Sequence, residues 1–150
     1  MSVQTCKQAL IAILDDGGFP NTVYEFGYDR LGSGLEAKEV IVRFAGMESD
    51  DIDGYGPTRL RVWLFSIELY AMLDTSEDTH NRLMEMIDTA VMIVETKPHL
   101  GLGDDSSVRD VEVIGIDGIT EVENEEGTVT NLRSAIAIRI EDEKAIAETE

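Results

Sequence analysis

Arg59-Leu60-Arg61-Val62-Trp63-Leu64-Phe65-Ser66-Ile67-Glu68-Leu69-Tyr70-Ala71 is the stretch whose reading decides the fold. Trp63, Phe65, Ile67, Leu69 and Ala71 recur with a period of two, so they share one face of a strand. The even positions open apolar, with Leu60, Val62 and Leu64, and turn polar or amphipathic at Ser66, Glu68 and Tyr70. Half of this strand is therefore apolar on both faces and needs cover on both. The next run supplies one cover. Asp74-Thr75-Ser76-Glu77-Asp78 offers capping oxygens and acids suited to the positive end of a helix dipole. Leu83, Ile87, Ala90, Val91 and Val94 then follow at helical spacing. Lys97-Pro98 ends the helix, with a cation near its negative end and a residue that cannot continue it. Each large side chain of that stripe contributes roughly 1.5–3 kcal/mol if buried on the strand.

Working outward, 150 residues at 43% hydrophobic content suffice for one core, so residues 1–150 read as a single domain. The formal net charge is −19, from 31 acidic and 12 basic residues. Such a surface repels phosphates and does not grip nucleic acid. It remains compatible with DNA sliding past, and with charge serving solubility alone. Cys6 is the one cysteine, which excludes an intramolecular disulfide and suggests a reducing compartment. No stretch approaches the ~20 apolar residues of a membrane span. Met1-Ser2-Val3-Gln4 lacks the features of a signal peptide, so a soluble protein made in a cytoplasm is expected.

Val3, Cys6, Ala9, Leu10, Ile13 and Leu14 predict an N-terminal helix, closed by Asp15-Asp16-Gly17-Gly18. Cys6 lies on its apolar stripe and reads as a small buried hydrophobe. Tyr24, Phe26 and Tyr28 alternate as one face of a strand, more suited to a core or an interface than to base stacking. Asp29 to Ala37 is a loop in which Ser33 lacks the flanks of a nucleophile elbow. Val40, Val42 and Phe44 mark the next strand, with Ile41 and Arg43 on its other face. Gly46 to Thr58 has no clear period and reads as a long hairpin arm reaching a neighbour. Its Asp51-Ile52-Asp53-Gly54 fails as an EF-hand, because loop position twelve falls on Leu60 rather than a glutamate. Val108 to Ile116 predicts a strand bulged at Gly115, Asp117-Gly118 a hairpin turn, and Glu125-Glu126-Gly127 a second turn. Leu132 to Ile140 is the last strand, with Ile136, Ile138 and Ile140 on one face and Arg133, Ala135, Ala137 and Arg139 on the other. Glu141 to Glu150 reads as a flexible acidic tail or a short terminal helix. The fold class is α+β: a largely antiparallel or mixed sheet, two main helices packed on one face, and a long hairpin arm.

No catalytic constellation emerges. His80 and His99 lack partners at ligand spacing, and no Ser-His-Asp set, phosphate loop or dinucleotide fingerprint is present. The expectation is no enzyme, no metal and no cofactor. Arg43, Arg59, Arg61, Arg133 and Arg139 all fall on predicted strands, while the acids gather in loops, hairpin tips and the tail. Those arginines require anionic partners, supplied within the chain or by acidic loops of a neighbouring copy.

From Val3 to Ile140 the layout resembles the tail terminator, or tail completion, family of long-tailed phages, lambda's among them. The likeness lies in element order. An N-terminal helix precedes a hairpin with a long loop. Then follow an aromatic-bearing strand at Arg61-Val62-Trp63-Leu64-Phe65-Ser66-Ile67, an acid-started helix at Glu77 to Glu95, a Leu100-Gly101 turn and closing hairpins. The acidic tail after Ile140 is not part of that pattern. The resemblance implies a virion protein that closes into a ring, usually a hexamer. Such a ring caps the tail tube, joins the head connector and passes DNA without binding it specifically. On that reading Arg43, Met47, Ile52, Tyr55, Arg59, Leu60, Arg61, Val62, Leu64, Arg133 and Arg139 are candidate subunit contacts. Glu48, Asp50, Asp51, Asp53, Glu121, Glu123, Glu125 and Glu126 are candidate lumen or loop acids. The alternative is a small-molecule-binding or regulatory α+β domain without catalysis.

Overall fold

A computed structural model describes residues 2–19, 23–24, 40–48, 58–73, 76–103, 105–123 and 125–145. Helix α1 (Val3–Gly17) begins at Ser2, whose hydroxyl accepts the Thr5 backbone N–H at 3.1 Å. That side-chain cap satisfies a helix donor with no intrahelical partner. After it come β1 (Val23–Tyr24), β2 (Val40–Glu48), β3 (Thr58–Met72), α2 (Ser76–Glu95), β4 (Val108–Ile116), β5 (Thr120–Glu123) and β6 (Val129–Ala145). The fold is α+β, with the sheet order β1-β2-β3-β6-β4. Among the described residues only the β1–β2 pairing is parallel; the others are antiparallel.

The β3–β6 ribbon is the spine, pairing every residue from Thr58↔Ala145 to Met72↔Asn131. The period-two reading holds. Trp63, Phe65, Ile67, Leu69 and Ala71 are buried in one core with Ile136, Ile138 and Ile140 of β6. The helical stripes join that core through Cys6, Leu10, Leu14, Leu83, Ala90 and Val94, all of them fully buried. Ile41 and Tyr70, of opposite parity, form a separate small cluster with Val122. Cys6 is buried as expected; burial first, then the nearby Asp142 carboxylate, push its thiol up to about 12.

Three sequence expectations change. Asp117-Gly118 is not a hairpin turn. β4 and β5 run the same way along the same side of β6, Ile116 facing Ile136 and Thr120 facing Arg133. Four steps on one strand match three on the other, so 117–119 carries one extra residue, as a bulge does. It is pinned where the Asp117 N–H donates to the Ala135 carbonyl at 2.8 Å and the Ser134 hydroxyl to the Asp117 carbonyl at 2.7 Å. Local turn chemistry gave way to pairing with the long neighbour. The predicted bulge at Gly115 is present, and the reversal falls at Glu125-Glu126-Gly127, where Gly127 takes φ 82°. The second change is at the end of the chain. β6 runs through Ala145, because acids at 141–143 face Val62, Arg61 and Leu60 of β3. The predicted arm shortens too: Gly46, Met47 and Glu48 belong to β2, and the remainder, 49–57, lies outside the described residues. So do the Phe26–Tyr28 part of the aromatic strand and the 29–37 loop.

Candidate assembly surface

Even positions of β3 and their cross-strand partners build the sheet face opposite the odd-numbered core set. Arg43 faces Ser66, Ala135 faces Glu68, Arg133 faces Tyr70 and Arg139 faces Leu64. Val62 is fully buried, whereas Leu60 and Leu64 are half-buried. Glu68 is the unexpected member. Its carboxylate is almost fully buried and lies 2.9 Å from Arg43 Nε. It accepts Arg133 Nη2 at 3.1 Å and the Tyr70 hydroxyl at 3.0 Å. Arg133 Nε also donates to that hydroxyl at 3.3 Å. Burial alone would raise the Glu68 pKa, but the two guanidiniums and the phenol outweigh it and hold it below the usual carboxylate range. Arg139 anchors a second group, donating to Glu141 at 2.6 Å and Glu48 at 3.3 Å, with Glu112 at 3.7 Å. Arg109 pairs with Glu143 on the same end of the sheet.

The expected arginine set therefore divides. Arg43, Arg133 and Arg139 share one face and find carboxylates within the chain. Arg61 belongs to the other parity, opposite Asp142, and Arg59 faces Lys144 in register. Of the expected lumen acids, Glu48 is tied to Arg139, while Glu121, Glu123, Glu125 and Glu126 are exposed on β5 and its turn. Ile52, Tyr55, Asp50, Asp51 and Asp53 lie outside the described residues.

At the sheet edges, Met47 was an expected subunit contact, whereas Phe44, Ile114 and Ile116 were not singled out as such by the sequence. Met47 pairs with Trp63 and Phe44 with Phe65, so both occupy the core parity, yet each is about half exposed at 50% and 49%. The Phe44 ring packs edge-on against Trp63 and Phe65, with centroids 6.2 and 5.6 Å apart. Trp63 is fixed from the other side by Nε1 donating to the buried Asp142 carboxylate at 3.2 Å. On the far edge, Ile114 and Ile116 of β4 are each 50% exposed. Ile116 faces the buried Ile136, and Ile114 is the extra residue of the Val113/Gly115 bulge. Phe44, Ile114 and Ile116 were not legible as exposed, because alternation places a side chain on a face without saying how far the cover reaches.

Among the described residues, no group of three His, Cys, Asp or Glu could hold a metal ion, and no helix is long and apolar enough to cross a membrane. No known family's sequence profile matches the chain, and no curated protein matches it.

Proposed function

We propose that this protein is a non-catalytic, self-assembling structural subunit that closes into a ring, as the phage tail terminators it resembles do. Both helices cover one face of the sheet; on the other, Ile41, Val62, Glu68 and Tyr70 are already buried within the chain, which leaves the sheet edges for neighbours. One observation carries the reading: among the described residues, β2 beyond its Val40–Ile41 pairing with β1, and β4 at the opposite side of the sheet, each present a pair of half-exposed large apolar side chains, Phe44 with Met47 and Ile114 with Ile116. Two different edges joined head to tail make a heterologous contact, which generates a ring when the rotation between copies closes and an open filament when it does not; the resemblance favours the ring. Large exposed apolar groups at a sheet edge mark interaction sites.

The arginines act differently from the expectation of charge pairing between copies. With Glu68, Glu48 and Glu141 already engaged, they stiffen the face on which Leu60 and Leu64 remain half-buried. A net charge of −19 suits a ring whose lumen passes DNA without holding it. In this account the ring sits at the head-proximal end of a virion tail, between tube and connector proteins. Native mass spectrometry of the full chain tests it. A closed homo-oligomer, six copies by the resemblance, is the expected species, and Phe44→Glu or Ile116→Glu should each abolish it. A monomer at high concentration, or oligomers indifferent to both changes, would overturn the reading.

A further inference from the structure

Asp142 is a buried acid at the end of a line of isoleucines. It continues the core-facing alternation of Ile136, Ile138 and Ile140 on β6, and like them it is fully buried. Burying a carboxylate is costly, and an aliphatic side chain would prolong the core without that cost. Its surroundings fix it from several sides. In register it faces Arg61 of β3 and Val108 of β4, and the next residue, Glu143, donates its N–H to the Ser107 carbonyl at 2.8 Å. Cys6 of α1 is near enough that the carboxylate charge, after burial, helps to push the thiol up. The Trp63 indole Nε1 donates to the carboxylate at 3.2 Å, reaching two residues along β6 from its own register partner, Ile140. Trp63 in turn backs the β2 edge: Met47 faces it in register, and the Phe44 ring packs edge-on against it with centroids 6.2 Å apart.

We infer that Asp142 is a positioning residue for assembly: by holding the Trp63 indole in one orientation, it presets Phe44 and Met47 for the next copy. The inference rests on the ring reading and adds to it a control point inside the core, on the far side of Trp63 from the edge. Phe44 and Met47 are half in water and exert little hold on the indole from outside. Hydrophobic burial is non-directional and accepts more than one ring orientation. A hydrogen bond to a carboxylate is directional and selects one. Side chains set in advance lose less freedom on binding, so affinity rises without any new contact. The β4 pair is remote from this tie. Ile114 and Ile116 lie at the other end of β4 from Val108, the residue that faces Asp142.

Two single-edge variants of the full chain read the edges separately. Ile116→Glu keeps the Phe44–Met47 edge, Phe44→Glu keeps the β4 edge, and sedimentation of their mixture gives the dissociation constant of one contact. Asp142→Leu fills the space and removes the acceptor. Added to Ile116→Glu, it should weaken the contact about tenfold or more, through loss of the preset edge. Added to Phe44→Glu, it should change the contact by less than about twofold, as expected of a distant, independent site. Asp142→Asn keeps an acceptor oxygen and should restore the affinity in the Ile116→Glu background. Trp63→Phe removes the donor instead and should weaken the contact in that background alone; it carries the test if circular dichroism shows Asp142→Leu unfolded. Equal weakening in both backgrounds, or none in either, would overturn the inference and leave the ring reading standing. Absence of any contact between the two parent variants would overturn the ring reading, and the inference with it.

Discussion

Glu68→Gln should destabilise the chain by about 2–4 kcal/mol at neutral pH. The variant keeps the shape and one acceptor oxygen but removes the charge that two guanidiniums and a phenol converge on, all within 2.9–3.1 Å. A hydrogen bond to a charged group is worth roughly 1.5–3 kcal/mol, and breaking a buried pair by deleting one partner costs about 3–5. Arg43 and Arg133 keep about a third of their side-chain surface in water, which puts the expectation below the sum of those losses. At ~2–4 °C per kcal/mol for a chain of this size, Tm should fall by about 5–12 °C. The pH dependence carries the sign. The folded-state pKa of Glu68 is depressed. Its contribution is complete above the unfolded carboxyl value and is lost as pH falls through the lower folded value. The gap between wild type and Glu68→Gln should therefore be widest near neutrality and close on acidification. Thermal melts at fixed protein concentration from pH 7 to pH 3 measure it. A Tm change under 2 °C at neutral pH, or a gap that stays constant to pH 3, would refute the reasoning.

Native Cys6 should resist alkylation at pH 8 and react at the free-thiol rate once the chain is unfolded, since its thiol titrates near 12; mass spectrometry of labelled samples reads the outcome. Trp63→Phe removes the indole donor from the buried Asp142 carboxylate and should cost about 1–3 kcal/mol in denaturant melts. Gly101→Ala forces an unfavourable φ of 73° and brings a methyl to 3.3 Å from Ile13, so a loss of about 1–2 kcal/mol is expected by the same assay.

The alternation around Trp63 and Ile138, and the helical stripes through Leu10 and Leu83, were legible because burial on one face writes its period into the chain. The run from Glu141 to Ala145 was not. Composition says solvent, yet five rungs to β3, among them Val62↔Glu141 and Leu60↔Glu143, extend the strand. Asp117-Gly118 misled for a related reason: a two-residue turn signal cannot reveal that β6 offers a continuous edge to both β4 and β5. Arg43 and Arg133 were visible as cations needing an anion, but Glu68 lies 25 and 65 residues away in sequence, and only the register of three strands joins them. Phe44 looked like a core residue by its alternation with Val40 and Val42, yet it is 49% exposed, as Ile116 is at 50%, and no local pattern encodes how far the cover over a sheet face extends.

Phe44→Glu spoils only the β2 edge and Ile116→Glu only the β4 edge, so each variant alone should be monomeric while keeping one sound edge. Mixed one to one, the two should pair through the remaining Phe44–Met47 and Ile114–Ile116 surfaces and stop at a dimer. Sedimentation velocity on the mixture, with Trp63 fluorescence reporting on the Phe44 edge, is the most direct measurement. A capped heterodimer, with rings only from wild type, is the result this account predicts; a mixture that stays monomeric, or single variants that still form rings, would contradict it.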